Sequence, residues 1–575
     1  MQKKIYLSFI SLTLFYAVRA QQMKYQALPR PNILIIVIDD ASPTLSPPDV
    51  PSYVKLPAFD SIRINGVTIH SAFCVYPLCN PARSSYLTSL YPHSNGAIDN
   101  SHKLNPKYRL FTQALDDAGY HVQVCGKLTN TMYQYQPWAE NKRWMCLQRI
   151  DYTNPTMFFS NGTSKVITGN TITIIGDTTN NWLSTIDTPF CFWEGVIVPH
   201  SPTEPLPSTK KKYNDKYIPL ENYTSFTNDY PSFTYADPAK YYTLNDSNKV
   251  QKKREHNLEC FVDIDASFTK QFNTLKSRGL LDNTFIIIID DNGYLNGEHL
   301  LLGKEKPYKE ALNTPCYIQY KPWFAPGSEN DSTMFTSIDV GPTILDVARV
   351  HDAEFTAQQT GNSLRTLIQQ GKKDSMFYYE DIRSAQISNS GSESPSFRGV
   401  RSFSYNYVKY NCTTLTEQLF DLQNDPDENT NVINKPSYAL VVNRYRFLFD
   451  SLANATHDTL SSDNLFLPCK LISDVPPVRN SPEVVNSSDT FQFKITPNPA
   501  DAYALLKVGV LNPLKNYINI EVTNNLGLII YSRKIKFTGI LETLLDVKNY
   551  ANGLYVVTVT IDKETRAKSF LIDHD

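Results

Sequence analysis

Two segments of the chain are almost continuously apolar and rich in β-branched residues. They are NILIIVIDD at residues 32–40 and TFIIIIDDNG at residues 284–293. Apolar runs of this length are typical of strands that are covered on both faces, as in a parallel sheet. Both runs end in paired acidic residues, so the pattern predicts two buried parallel strands with carboxylates at their carboxyl ends.

Helical periodicity is found between these two segments. Residues 108–119 (YRLFTQALDDAG) and 261–279 (FVDIDASFTKQFNTLKSRG) have apolar residues at helical spacing, and each ends in a glycine. Strands that alternate with helices predict an α/β sheet with helices on both faces, and such sheets bind ligands outside the carboxyl ends of the strands. Residues 203–246, rich in Pro, Tyr, Asn and Lys, lack periodicity and are interpreted as a long surface excursion near the mouth of that site.

The pattern changes twice toward the C-terminus. From about residue 376 onward, short strand-like segments predict a smaller α+β subdomain. Three prolines and several serines then predict a linker, and alternating apolar and polar residues with a turn signal at 524–527 predict an all-β module of roughly sandwich type. The predicted divisions are a main domain at 21–375, the subdomain at 376–472, the linker at 473–490 and the β-sandwich at 491–575.

The first residues have the pattern of a secretory signal. Lys3 and Lys4 precede a mostly apolar segment, and cleavage after Ala20 fits a loose form of the small-residue pattern, so residues 1–20 are the predicted signal peptide. A retained N-terminal anchor is the alternative. The apolar part is short for a membrane span and no later segment is long enough, so no transmembrane segment is predicted.

Composition excludes several classes of protein. The chain has 575 residues, 41% of them hydrophobic, and a formal net charge of −2. The length predicts two or three domains, and the charge balance argues against disorder and against nucleic acid as a partner.

A secretory route changes how cysteines and asparagines are interpreted. There are nine cysteines, so intramolecular bridges leave at least one unpaired, and Cys79 is the candidate. In a eukaryotic secretory pathway the N-x-S/T sequons predict a glycoprotein, whereas in a bacterium they mean nothing. The sequons begin at Asn161, Asn222, Asn245, Asn330, Asn411, Asn454 and Asn486.

The acidic residues after the two apolar segments form a candidate metal site. Asp39 and Asp40 follow the first segment, and Asp291 and Asn292 follow the second. Acids at neighbouring strand ends repel one another unless a cation lies between them. Carboxylate and amide oxygens suit Ca²⁺ or Mg²⁺. The alternative is that each pair caps a strand end or a following helix, but two pairs after matching strands favour the metal.

The segment YPLCNPARSSYLTSLYPH at residues 76–93 holds a C-x-P-x-R pattern, formed by Cys79, Pro81 and Arg83, at the start of a predicted helix. By itself this short pattern is equally typical of a half-disulfide beside a turn proline.

Seven segments in order resemble the sulfatase family, a branch of the alkaline-phosphatase-like α/β fold, across about residues 31–435. The similarity to the N-acetylglucosamine-6-sulfatase branch is greatest, because DNGY stands where many sulfatases have Asp-His-Gly and Asn130 follows Lys127 by three places. The segments are NILIIVIDD, CNPARSSYLTSLYP, AGYHVQVCGK, VPHSP, DDNGYLNGEHLLLGK, TSIDVGPTILDVA and EQLFDLQNDPDENTN.

This resemblance implies a sandwich with a large, mixed, mostly parallel sheet. It also implies that a formylglycine-generating enzyme reads Pro81 and Arg83 and oxidises Cys79 to an aldehyde. In the hydrate of that aldehyde, one hydroxyl attacks sulfur and the other later expels sulfate, a step that a serine nucleophile lacks.

The resemblance further implies roles for individual side chains. Arg83 would hold the modified residue, Lys127 and Lys304 would hold sulfate oxygens, and His200 would protonate the leaving oxygen. The implied metal is Ca²⁺ rather than Mg²⁺. The implied catalytic residues are Cys79, Arg83, Lys127, His200 and Lys304, and the implied metal ligands are Asp39, Asp40, Cys79, Asp291 and Asn292.

The sequence therefore predicts a secreted sulfatase that acts on a sugar, for example on glucosamine 6-O-sulfate during glycosaminoglycan degradation. Two alternatives stay open: a phosphate or phosphonate ester hydrolase of the same fold, and an inactive sulfatase-like binding protein.

Three positions depart from the family pattern. Asn130 stands near the place where many sulfatases have a histidine that serves as a base for sulfate elimination, so either another group serves or turnover is slow. Ser89 replaces the usual glycine after Leu-Thr. Asp290 replaces a small hydroxyl residue, and it either adds negative charge near the metal or points away.

The C-terminal segments ITPNPA, NNLGLIIYS and LDVKNYANGLYVVTVT resemble the sorting domain of the bacterial type IX secretion system. This resemblance implies that the tail is a sorting signal and that the protein is attached to the cell surface. If the tail is not a sorting domain, the N-terminal signal implies a secreted, extracellular or lysosome-like protein. The alternative for the tail is a carbohydrate-binding or plain accessory β-sandwich.

Overall fold

The computed structural model of the chain has two compact units, Met1–Val475 and Pro476–Asp575. Within them, the described residues are 29–130, 144–147, 150–220, 222–223, 246–370, 376–382, 396–411, 417–458, 491–496, 503–510, 517–524, 529–536, 540–548, 550–551, 553–561 and 564–572.

Strands of the first unit build one large sheet and several small ones. In chain order they are β1 (Asn32–Asp39), β2 (Val67–Ile69), β3 (Ala72–Phe73), β4 (His121–Gly126), β5 (Trp144–Leu147), β6 (Thr156–Phe159), β7 (Ser164–Val166), β8 (Phe190–Pro199), β9 (Thr284–Asp290), β10 (Leu295–Asn296), β11 (Leu302–Gly303), β12 (Cys316–Gln319), β13 (Ser328–Asn330), β14 (Phe335–Thr336), β15 (Met376–Asp381), β16 (Phe397–Ser402), β17 (Tyr405–Tyr410) and β18 (Glu417–Asp421).

The large sheet has ten strands in the order β13-β2-β12-β9-β1-β8-β4-β5-β6-β7. Its centre, from β9 to β5, is parallel, whereas antiparallel pairs occur toward both edges. The two apolar segments of the sequence are the neighbouring strands β1 and β9, with Ile38 opposite Asp290. The acidic residues that follow the two strands therefore lie side by side.

Helices cover both faces of this sheet. They are α1 (Pro57–Asn65), α2 (Cys79–Thr88), α3 (Pro92–Asn95), α4 (Phe111–Asp117), α5 (Thr171–Leu183), α6 (Ser247–Ser277), α7 (Lys309–Leu312), α8 (Val340–Ala348), α9 (Ala353–Gln358), α10 (Leu364–Gln370) and α11 (Ala439–Ala455).

Alternate residues of β1 divide between two apolar cores. Ile33, Ile35 and Val37 belong to the core that includes α4 and α8, and Leu34 and Ile36 belong to the core that includes α1, α5 and α6. Side chains of a strand alternate between faces, so an unbroken apolar run is what a strand in the middle of three layers requires. The predicted α/β sandwich with a mixed, mostly parallel sheet is confirmed.

Helix α6 begins at Ser247, well before residue 261, where the apolar pattern predicted its start. Its first half is rich in charged residues, which hid the buried face. Val250 and Leu258 are buried on that face, and between them Arg254 is buried through an ion pair with Glu298 at 2.9 Å.

The C-terminal part of the first unit is the smaller α+β element that the sequence predicts. Strands β15 to β18 form an antiparallel sheet in sequential order. Val442, Tyr445 and Phe449 of α11 pack into the same core as this sheet.

The second unit contains antiparallel strands only within its described residues, so the predicted all-β module is confirmed. They form two sheets, β19-β20-β23 and β22-β21-β24-β25, whose side chains share one apolar core. The strands are β19 (Phe491–Thr496), β20 (Tyr503–Val510), β21 (Tyr517–Thr523), β22 (Ile529–Lys536), β23 (Ile540–Asp546), β24 (Gly553–Ile561) and β25 (Glu564–Ile572).

Several predicted features lie outside the described residues: the signal peptide, the linker, most of the surface excursion at 203–246 and most of the turn at 524–527. Within the described ranges, no helix has the length and apolar character needed to cross a bilayer. The seven described cysteines are all buried and unpaired, so the interpretation of Cys79 as half of a disulfide is wrong.

Candidate active site

Four adjacent parallel strands end at one place, and each supplies polar side chains there. In the order β9-β1-β8-β4, the residues at their carboxyl ends are Asp291 with Asn292, Asp39 with Asp40, His200, and Lys127. This edge is where ligands bind in parallel sheets.

Cys79 is the first residue of α2, and its side chain is buried beneath this edge. Its Sγ lies 3.3 Å from Asp39 Oδ1 and 3.9 Å from Asp40 Oδ1. Burial, followed by the charges of Asp291 and Asp39, raises the pKa of the thiol well above its usual value. Since the thiolate is the nucleophilic form of cysteine, this shift disfavours the reactive form of an unmodified Cys79.

Two lysines neutralise the two carboxylates of β1. Lys127 Nζ lies 2.6 Å from Asp39 Oδ2, and Lys304 Nζ lies 2.5 Å from Asp40 Oδ1 and 2.7 Å from Cys79 Sγ. Burial would raise the pKa of both carboxyls, but these lysines, together with His200, lower it.

Lys127 reaches the site because the neighbouring strand has no side chain at one position. A Cβ added to Gly195 of β8 would lie only 1.7 Å from the carbonyl oxygen of Lys127. Gly126 itself has φ +86°, a conformation that L-residues with side chains rarely adopt. The two glycines thus bring the end of β4 against β8.

Arg83 is fully buried one helical turn after Cys79. Its Nε donates to Asp291 Oδ2 at 2.5 Å, and its Nη1 donates to the carbonyl of Lys127 at 2.7 Å. These contacts tie α2 to the ends of β9 and β4. The contact between Arg83 and residue 79 that the resemblance implies is not among the hydrogen bonds of Arg83 in the described residues.

The oxygen atoms at this edge fit a hard divalent cation. One ligand atom each of Asp39, Asp40, Cys79 and Asp291 lies within 4.8 Å of the others. Asn292 completes the set: its Nδ2 donates to Asp40 Oδ1 at 2.8 Å, and its Oδ1 is buried without a hydrogen-bond partner. Carboxylate and amide oxygens in this number are typical of sites for Ca²⁺ or Mg²⁺.

His200 follows β8 and faces the same cluster. Its Nε2 lies 3.6 Å from Asp40 Oδ2, and its side chain is 24% exposed. Its Nδ1 lies 2.7 Å from the carbonyl of Ser201, so Nδ1–H donates there and Nε2 is directed to the site.

Tyr152 was missed by the sequence analysis. Its hydroxyl donates to the carbonyl of His200 at 2.5 Å and lies 3.1 Å from the carbonyl of Ser201. It therefore holds the turn that carries His200. No motif marks Tyr152, because only the tertiary structure places it beside this turn.

The departures from the family pattern have structural explanations at two of three positions. Ser89 has φ 59° at the C-cap of α2, where glycine is usual. Its hydroxyl donates to Ile338 O at 2.7 Å and accepts from Gly361 N at 3.1 Å. Asp290 Oδ2 accepts from the backbone N–H of Ala41 at 2.9 Å, so this carboxyl caps the β1 end and is not part of the cluster.

At the third position, Asn130 is half-buried and its backbone N–H donates to Asn80 Oδ1 at 3.2 Å. An amide cannot accept a proton at neutral pH, so Asn130 cannot serve as a base.

Together these residues can bind a small anionic group. Cys79 is buried at the N-terminus of α2, and the cations of the site are Lys127, Lys304 and Arg83. Positive charge at a helix N-terminus favours anions. The imidazole of His200 is directed to the same cluster.

Comparisons with known proteins agree with this geometry. Residues 31–350 match the Sulfatase family model, and residues 297–454 match the model of the N-sulphoglucosamine sulphohydrolase C-terminal region. Residues 494–573 match the model of a secretion system C-terminal sorting domain. The two resemblances predicted from the sequence are therefore confirmed.

Individual relatives are similar over most of their length. The N-acetylglucosamine-6-O-sulfatase of Bacteroides thetaiotaomicron is 24% identical over 481 residues, which cover 71% of this chain and 84% of the relative. A solved structure of a protein in complex with its substrate D-glucosamine-2-N,6-O-disulfate has a TM-score of 0.66 at 22% identity, covering 75% of this chain and 99% of the other.

The phosphonate monoester hydrolase of Agrobacterium radiobacter has a TM-score of 0.60 at 18% identity, covering 74% of this chain and 96% of the other.

Proposed function

The chain belongs to the sulfatase family of sulfuric ester hydrolases, and from this premise we propose that it is an exported enzyme that hydrolyses the 6-O-sulfate of a glucosamine-type sugar. The nucleophile is the hydrated formylglycine derived from Cys79. The observation that supports this most directly is the position of Cys79 Sγ, which lies within hydrogen-bonding reach of both Asp39 and Lys304.

The metal ligands are Asp39, Asp40, residue 79, Asp291 and Asn292, and the ion is Ca²⁺. When bound, the cation supplies positive charge that lowers the pKa of the hydrate and polarises a sulfate oxygen. Ca²⁺ is favoured over Mg²⁺ because the side chains come from three different elements, and such irregular oxygen sites suit the more flexible coordination of Ca²⁺.

The remaining side chains bind and orient the ester. Lys127 and Lys304 hold sulfate oxygens, since each ammonium already lies beside residue 79 or its carboxylate neighbour. In the form protonated on both ring nitrogens, His200 donates its Nε2 proton to the leaving alcohol, while its Nδ1–H donates to Ser201 O and fixes the orientation of the ring. Arg83 holds Asp291 and the Lys127 carbonyl in place.

The substrate class is proposed from the relatives. One relative is named an N-acetylglucosamine-6-O-sulfatase, and one structural neighbour is described with a 6-O-sulfated glucosamine as its substrate. A sulfated carbohydrate of a glycosaminoglycan is therefore the proposed substrate. The phosphonate monoester hydrolase among the neighbours keeps phosphonate or phosphate esters as the second candidate.

Maturation and location complete the proposal. A formylglycine-generating enzyme reads Cys79, Pro81 and Arg83 before the main domain folds, because Cys79 is buried in the folded chain. The signal peptide at 1–20 and the sorting tail direct the protein out of the cell or to the cell surface. The domain divisions at 375, 472 and 490 remain predictions.

Two measurements on protein from its native host test the proposal. Peptide mass spectrometry across residue 79 should find the aldehyde; a free thiol there would leave the inactive binding protein as the remaining interpretation. A substrate panel should then show hydrolysis of glucosamine 6-O-sulfate and much weaker hydrolysis of phosphate and phosphonate monoesters. The reverse preference would favour the second candidate.

A further inference from the structure

An open cavity of about 500 Å³ lies at the turn that follows His200. Pro202 and Thr203 form one side, and the first turns of helix α6 form the other, with Lys249, Lys252, Lys253 and His256 in its wall. Its volume is in the range of small-molecule sites, and its wall is basic.

The cavity is continuous with the turn that holds His200. The backbone N–H of Thr203 donates to the carbonyl of His200 at 2.9 Å, and Lys253 Nζ donates to Thr203 Oγ1 at 3.2 Å. Asp40 interacts electrostatically with Lys253. A ligand group in the cavity would therefore be a near neighbour of a group held by His200 and the metal ligands.

Two of the three lysines are already neutralised. Lys249 lies 2.5 Å from Asp246, and Lys252 lies 3.0 Å from Glu255. Lys253 differs, because within the described part of the chain it forms no ion pair with a carboxylate.

Lys253 is also partly withdrawn from water. It is half-buried, with its ammonium 5.1 Å from the centre of the Tyr294 ring. Burial lowers its pKa, while the charge of Asp40 acts in the opposite direction. An ammonium that has lost water without gaining a carboxylate is unfavourable until an anion approaches.

A second polar group in the wall is the imidazole of His256, which the backbone of Thr203 contacts. His256 Nε2 is buried and has no hydrogen-bond partner among the described residues. The first turn of α6 adds backbone N–H groups without intrahelical acceptors and the positive end of the helix dipole. Lys253 and the N-terminus of α6 favour an anion with several acceptor oxygens, and the Nε2 of His256 offers a further polar contact.

We propose that this cavity is a second anion-binding subsite, which holds a sulfate or carboxylate group of the substrate other than the ester that is cleaved. The proposal rests on the proposed sulfatase function and deepens it, because it makes the preferred substrate a sugar with at least two anionic groups. Lys253 is the residue that determines this preference.

The test compares three substrates that share a 6-O-sulfated glucosamine. One is N-acetylated and has no second anion, one is N-sulfated, and one is an N-acetylated disaccharide with a neighbouring uronic acid. The wild-type chain is compared with Lys253→Gln, and Lys276→Gln is the matched control, because Lys276 is an exposed lysine of the same helix. Thermal unfolding confirms that all three proteins fold.

A charge-assisted hydrogen bond is worth enough to change kcat/KM by about 10-fold to 100-fold. We expect Lys253→Gln to lower kcat/KM by about 10-fold to 100-fold for one or both dianionic substrates. For the N-acetylated monosaccharide we expect kcat/KM to change by less than about twofold. Loss on the N-sulfated sugar assigns the subsite to sulfate, and loss on the uronic acid disaccharide assigns it to carboxylate. Equal behaviour of Lys253→Gln and Lys276→Gln on all three substrates overturns the proposal.

Binding measurements separate this proposal from the proposed function. Calorimetry of the three sugars is done on Cys79→Ala chains, with and without Lys253→Gln, since these cannot turn over. If the wild type hydrolyses none of the sugars, the sulfatase proposal fails, and the subsite still stands or falls on whether Lys253→Gln weakens binding of the dianionic sugars selectively.

Discussion

The Nζ of Lys304 lies 2.7 Å from the Sγ of Cys79, although the two residues are 225 positions apart in the chain. The same Nζ lies 2.5 Å from Asp40 Oδ1. Burial would lower the pKa of Lys304, but the charge of Asp40 outweighs it and raises the pKa well above its usual value. Residue 79 therefore faces a permanent positive charge at neutral pH, which a negatively charged ester requires.

Replacing Lys304 with methionine removes this charge and keeps most of the volume. We expect kcat to fall by about 100-fold or more, the usual loss when one group that stabilises developing negative charge is removed. Lys321→Met is the control, since Lys321 is exposed and pairs only with Asp282 in the described residues. Steady-state kinetics on a 6-O-sulfated sugar gives the comparison, and equal rates for the two variants would contradict a role for Lys304.

Removal of the metal should reduce both activity and stability. Three buried carboxylates and the Asn292 amide converge from β1 and the end of β9, and without a cation the nearby lysines, Arg83 and His200 offset the carboxylate charge. We expect a Ca²⁺-selective chelator to abolish hydrolysis and to lower the thermal unfolding midpoint. Added Ca²⁺ at 100 times its Kd should restore about 2.7 kcal/mol. Full activity after chelation, or recovery with Mg²⁺ alone, would contradict the Ca²⁺ assignment.

Asn130 offers a direct test of the missing base. If proton removal limits the release of sulfate, Asn130→His should raise kcat by about 100-fold, which is the lower end of what a well-placed general base contributes. The substitution keeps the backbone contact with Asn80. Single-turnover and steady-state rates locate the affected step. Asn130→Ala is the partner variant, and its loss of activity would show that the amide itself takes part.

The buried pair of His93 and Glu380 should make the free energy of unfolding depend on pH. Its Nδ1 lies 2.7 Å from Glu380 Oε2, and its side chain is 2% exposed. Burial would lower its pKa, but Glu380 raises it from 6.5 to about 9. The folded pKa is above the unfolded one, so this stabilisation is complete below about pH 6.5 and is lost as the pH rises through 9.

His93→Gln should therefore be less stable than the wild type by about 3 kcal/mol at pH 6, with a smaller difference above pH 9. Unfolding midpoints across this range give the measurement, and His351→Gln, at an exposed histidine, is the control. A difference that does not change with pH would rule out the charged pair as its cause.

The buried carboxyl of Glu194 also makes stability fall with rising pH, but over a lower pH range than His93 does. It is buried in β8, where burial raises its pKa from 4.5 to about 8, and its Oε1 accepts from Gln271 Nε2 at 3.0 Å. The folded chain then binds more protons than the unfolded chain between these values, so stability falls as the pH rises from 4.5 to 8.

Glu194→Gln removes this titration, so we expect a gain on the order of 1–3 kcal/mol at pH 8 and little change at pH 5. Unfolding midpoints at both pH values test this, with Glu354→Gln at an exposed glutamate as the control. A variant that is no more stable at pH 8 than at pH 5, relative to wild type, would show that Glu194 is ionised in the folded chain.

The sequence by itself determined the layers of the fold and the chemistry at the strand ends. The apolar runs of β1 and β9 are typical of strands covered on both faces, and adjacent parallel strands bring their carboxyl ends together. Motif order then identified the family, and the matching models confirmed it. The apolar runs and the ordered motifs are patterns of residues that lie close together in the sequence, so they can be recognised without coordinates.

Only the tertiary structure decided which side chains touch. The early start of α6 was hidden because Arg254 is buried by its pairing with Glu298, a residue 44 positions away. The support of His200 by Tyr152 and the contact of Lys253 with Thr203 beside the site were equally invisible in the sequence. Contacts between distant residues depend on how the layers pack, and no local pattern of polar and apolar residues records that packing.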